Sequence, residues 1–112
     1  MAVEQREFMN QDTRQRIEAL EAEWSMPDGF LGKAREGVFD ERQGAEFLAL
    51  LGRIEPADGP LIDRRLVALV WYIPQFLHWQ KERVAARGGD LAAFERLTNR
   101  VQGMVEEILG VP

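Results

Sequence analysis

His78 is the only histidine in the 112-residue chain, Ser25 is the only serine, and cysteine is absent. A serine nucleophile would need Ser25 and His78 to meet. The run "EWSMPDG" around Ser25 has none of the glycine-flanked turn that exposes such a nucleophile. Without cysteine there is no thiolate catalysis, no disulfide and no cysteine-ligated metal. His78 and Glu82 are four residues apart, a spacing that could share a metal ion on one helix face. Two ligands do not make a dedicated site, and no Glu-x-x-His pair exists to build a di-metal bundle. A hydrogen bond or ion pair between them is the expected outcome. Haem would rest on His78 alone. "GFLGKAREG" carries a Gly-Lys step but is not a phosphate loop: Pro27 stands where the first glycine belongs, and Ala34 replaces the hydroxyl residue that would reach magnesium. No catalytic residue, cofactor or metal site is expected, and the chain reads as a non-enzyme.

Carboxylates are plentiful. Glu18, Glu21 and Glu23 share a segment with Arg14 and Arg16, which suits a solvated helix face and makes a secondary acidic surface. Net charge is −5. All of the excess lies in residues 1–56, which hold twelve acidic and seven basic side chains, against seven of each in residues 57–112. No basic stripe is present to attract a phosphate backbone, so nucleic acid is not an expected partner and a protein with a basic surface is. The longest apolar run, residues 66–73, is too short to span a bilayer. Together with the missing cysteines and the polar N-terminal stretch "MAVEQREFMNQD", this predicts a soluble, cytoplasmic protein without membrane contact.

These side chains are to be positioned almost entirely by helices. Apolar residues make up 46% of the chain and charged residues 29%, enough to give one domain of this length its own core. In residues 12–24, Ile17, Leu20 and Trp24 recur at helical spacing after a cap at Asp12 or Thr13, and "SMPDG" stops the pattern. "FLGKAREGVF" fits a single helical turn or a loop pinned by Phe30, Leu31 and Phe39. Asp40 with Gln43 resembles a capping box, followed by Phe47, Leu50, Leu51 and Ile54 at one-face spacing. After "EPADGP", Pro60 suits the first position of a long helix reaching about Arg87. "RGGD" ends it and supplies Asp90 as the next cap. Phe94, Leu97, Val101, Met104 and Ile108 then form the stripe of a last helix over 91–109. The expected fold is all-α: one domain over residues 1–112, with residues 1–10 as a flexible lead-in. It is a bundle of four to five helices with a long Pro-kinked central helix and a C-terminal antiparallel hairpin.

The central helix carries the candidate site. At 100° per residue with Trp71 at zero, Ile62, Leu66, Leu69, Val70, Ile73, Phe76, Leu77 and Val84 span an arc of about 140–260°. Arg64, Trp71, Gln75, His78 and Glu82 line up opposite it. Pro74 removes an amide donor and clashes with the Val70 carbonyl, which costs about 3 kcal/mol in a helix interior and predicts a bend. The stripe is open to three readings: the solvent edge of a core helix, a partner-binding surface, or a small-ligand crevice at the bend. The functional expectation is a protein–protein interaction module, in the manner of an acidic inhibitor or immunity factor. A ligand- or cofactor-binding bundle is the alternative, and a homodimer is a further possibility.

Overall fold

The computed structural model describes residues 11–56 and 59–112; the expected lead-in, residues 1–10, lies outside them. The described residues form helices α1 (Gln11–Ser25), α2 (Phe30–Arg35), α3 (Glu41–Gly52), α4 (Arg64–Val70), α5 (Ile73–Trp79), α6 (Lys81–Ala86) and α7 (Leu91–Leu109), with no strand among them. Helices α4, α5 and α6 follow one another as segments of one rod. Counted that way, the described residues form an all-α bundle of five helical elements.

Local chemistry explains most boundaries. Asp40 Oδ1 accepts from the Gln43 amide (3.1 Å), and Asp90 Oδ1 accepts from the Ala93 amide (3.0 Å), capping α3 and α7. The capping box is only half made, because the Gln43 side chain donates to the Asp28 carbonyl instead of returning to Asp40. Asp12 and Thr13 do not cap α1, which is already helical at Gln11. Pro60 does not start the rod either. Asp63 Oδ1 accepts from the amides of Arg65 (2.8 Å) and Leu66 (3.2 Å), so α4 begins at Arg64 where two orphan donors are satisfied at once. Helices α2 and α6 end alike: the Gly37 and Val38 amides donate to Ala34 and Lys33, and the Gly88 and Gly89 amides to Ala85 and Val84. This paired return needs a left-handed residue, and Gly37 and Gly88 both have φ of +80°.

The expected long, Pro-kinked helix is divided twice. Tyr72 (ψ −12°) and Gln80 (ψ −3°) relax from helical to turn geometry. The first break places Pro74 in the opening turn of α5, where its missing amide is not needed, so the interior-proline cost largely disappears.

A stacked Phe30–Phe47 pair (4.9 Å between centroids) and the edge-on Phe39–Phe94 pair (5.1 Å) join α2, α3 and α7 at the centre. Phe30, Phe47 and Phe94 are fully buried, each contributing roughly 1.5–3 kcal/mol. Of the arc expected to face inward, Leu66, Val70, Ile73, Phe76, Leu77 and Val84 are buried. Along α7, Phe94, Leu97, Val101 and Ile108 are buried and Met104 half-buried. Among the described residues, four polar links tie the N-terminal helices to the rod: Arg65 to Glu21 (2.9 Å), Trp24 Nε1 to the Leu69 carbonyl (2.9 Å), Arg83 to the Arg35 carbonyl (2.5 Å) and Arg87 to the Glu36 carbonyl (3.1 Å).

Candidate functional site

The rod and α7 pack side by side, and a groove of about 520 Å³ opens between them. Trp71, Pro74, Gln75, His78 and Lys81 line it from the rod, facing Asn99, Gln102, Val105 and Glu106 on α7. The two are joined by the short turn at Gly88–Asp90, as in a helical hairpin. Three of the five stripe residues therefore share one site. Arg64 and Glu82 are exposed outside it. The breaks at Trp71–Tyr72 and Gln80 interrupt the even angular spacing that had aligned them with Trp71. His78 and Glu82 form no hydrogen bond or ion pair in the described structure. Thr98 borders the groove, but its hydroxyl proton goes to the Phe94 carbonyl (2.9 Å). The Gln102 amide donates to Glu106 (3.3 Å). The remaining polar groups, an imidazole, an ammonium and two amides, can bind but include no activated nucleophile.

Beside the groove lies an aromatic patch. The Tyr72 ring contacts both Trp71 (5.2 Å) and Trp79 (5.8 Å). Trp71 is 57% exposed and Trp79 60%. Beneath them, Trp24 meets Tyr72 (6.5 Å) and Phe76 (4.9 Å), and the Arg35 guanidinium lies 5.6 Å above the Phe76 ring. Tyr72 and Trp79 were not among the stripe residues, although a signal was there. At 100° and 80° on the same wheel both fall outside the buried arc.

The acidic surface on α1 is not a patch of three free carboxylates. Glu21 pairs with Arg65, and Glu23 Oε1 accepts from the Phe30 amide (2.8 Å), holding the start of α2. Glu18 is exposed and has no partner among the described residues. No group of three or more His, Asp or Glu side chains among the described residues is placed to hold a metal ion. No described helix is long and apolar enough to cross a membrane.

The class so defined is a small all-α bundle with a polar groove and an aromatic patch on its broken rod. No family model, curated protein or solved structure matches the chain.

Proposed function

We propose that this chain is a non-enzymatic interaction module of the cytoplasm, docking a partner protein on the aromatic patch of the rod. The observation that carries this reading is the exposure of Trp71 and Trp79, both in contact with Tyr72. Two indoles, each showing roughly 100 Å² of ring, would contribute about 2–3 kcal/mol apiece on burial. Tryptophan, tyrosine and arginine are the residues that concentrate binding energy at interfaces. The Arg35 guanidinium over the Phe76 ring sets a positive charge near the patch, which suits a partner with an acidic group there. The basic partner suggested by the net charge, and with it the acidic-inhibitor form of the proposal, is left to Glu18 and its surroundings on α1.

Affinity capture with the wild type and with a Trp71→Ala/Trp79→Ala variant, followed by mass spectrometry, tests the patch. A partner retained by the wild type and lost from the variant, with unchanged circular dichroism, supports it. Identical sets of captured proteins refute it.

The groove favours a second reading, a small polar ligand held by Gln75, His78, Lys81, Asn99 and Gln102 with Trp71 as a stacking face. Native mass spectrometry of freshly purified protein would show such a ligand as a discrete added mass.

A further inference from the structure

A second groove, separate from the aromatic patch, runs between α3 and α7. Phe39, Ala45 and Leu48 line one side and Ala93 and Leu97 the other, around a volume of about 590 Å³. The lining is mostly apolar, and two exposed arginines, Arg96 and Arg100, stand in it. They are four residues apart on α7, one above the other at about 6 Å along the helix axis.

Like charges at this spacing disfavour the helix, and the sequence does nothing to offset them. The other residues three or four positions from either arginine are Ala92, Ala93, Leu97, Asn99, Gly103 and Met104, none of them charged. Glu41 borders the groove, yet neither arginine has an ion pair or hydrogen bond among the described residues. Four other arginines have partners, Arg65 with Glu21, Arg83 and Arg87 with backbone carbonyls and Arg35 with the Phe76 ring; Arg14, Arg16, Arg42, Arg53 and Arg64 have none among the described residues, but none of these lines the groove. An unpaired guanidinium couple over an apolar trough is complementary to a ligand that is apolar along its length and doubly acidic on one edge.

We propose that this groove docks an amphipathic helix of a partner protein bearing two carboxylates one turn apart. Its apolar face lies on Ala45, Leu48, Ala93 and Leu97, and its carboxylates meet Arg96 and Arg100. A trough between two helices suits a third helix, and the alanines on either side allow close approach. Guanidinium forks bind carboxylates in bidentate fashion, which fixes the register of the incoming helix. The proposal does not depend on the aromatic patch.

The test uses the full chain and two synthetic probes. Each is a 16-residue capped peptide with leucines at heptad a and d positions. One carries glutamates four residues apart beside the leucines, and the other carries lysines there. Amide shifts in a ¹⁵N-correlated spectrum should follow the glutamate peptide at Phe39, Ala45, Leu48 and Ala93. Arg96→Gln/Arg100→Gln should weaken its affinity about tenfold, as two partly exposed charge pairs allow. Arg96→Glu/Arg100→Glu should reverse the preference towards the lysine peptide. Both arginines are exposed and unpartnered, so these variants are expected to fold, with circular dichroism as the check. Trp71→Ala should bind the glutamate peptide as the wild type does, which separates this groove from the function proposed above. The proposal is overturned if the two peptides bind the wild type equally, if the shifts cluster elsewhere, or if charge reversal leaves the preference unchanged. It is also overturned if sedimentation shows the wild type already dimeric and the Arg96→Glu/Arg100→Glu variant monomeric, since a second copy would then occupy the groove.

Discussion

Trp24→Phe isolates one hydrogen bond at the joint between α1 and the rod. The Trp24 indole N–H donates at 2.9 Å to the Leu69 carbonyl, which sits in the last turn of α4 where carbonyls lack a regular helical donor. Phenylalanine keeps an aromatic ring against Phe76 and Tyr72 but has no proton to give. A net hydrogen bond contributes about 0.5–1.5 kcal/mol, and a half-buried carbonyl left alone adds a further penalty; together they make roughly 1.5–2.5 kcal/mol. For a domain of this size that lowers Tm by about 6–10 °C. Urea unfolding followed by far-ultraviolet circular dichroism gives the free energy without relying on tryptophan emission, and the slope should not change. Trp71→Phe is the control: its ring is 57% exposed and its indole makes no hydrogen bond among the described residues, so the loss should stay below about 0.5 kcal/mol. Equal losses in the two variants would show that the joint is held by ring area alone, and the hydrogen-bond reasoning would fail.

Three further substitutions probe the backbone. Gly32→Ala should gain about 1 kcal/mol from helix propensity, but the new Cβ lands on the Met26 carbonyl oxygen. A net loss of at least about 1 kcal/mol is expected in the same urea experiment, and a gain would place α2 farther from the preceding turn. Gly88→Ala meets nothing within 4 Å, so its cost of about 1–2 kcal/mol should come from φ alone, with Gly88→Asn milder. Asp63→Ala should cost about 1 kcal/mol while Pro60→Ala costs less than half of that; the reverse order would mean that the rod starts at the proline after all.

How much was legible beforehand follows from the range of the interactions. Caps such as Asp40 and Asp90, and the glycine return at Gly88, act within six residues, so the helix ends at Ser25 and near Arg87 and the start of α7 could be placed from sequence. The all-α class and the buried faces of α3 and α7 followed from spacing in the same way. Pro74 pointed to a bend in the rod, but its division into three helices, and the second break at Gln80, did not follow. Its breaks are supported by partners remote in sequence or by burial, namely Trp24 on the Leu69 carbonyl and the buried Gln80 side chain donating to the Phe76 carbonyl. A wheel with even spacing cannot show a break, so it drew Arg64 and Glu82 into line with Trp71, Gln75 and His78. The fate of the α1 glutamates was hidden for a similar reason, because the partner of Glu21 lies 44 residues away.

The four links between the N-terminal helices and the rod also bear on the order of folding. Their sequence separations are 44, 45, 48 and 51 residues, and the partners advance together along both segments. Closing the first link carries nearly the whole loop entropy, and the other three then follow at little further loss. The rod and α7, joined by a tight glycine turn, have no such loop to close and should pair early. Docking of α1 and α2 therefore belongs to the late, downhill side of the barrier. Removing any one link should leave the folding rate nearly unchanged and speed unfolding, so the N-terminal helices govern how long the native state lasts more than how fast it forms.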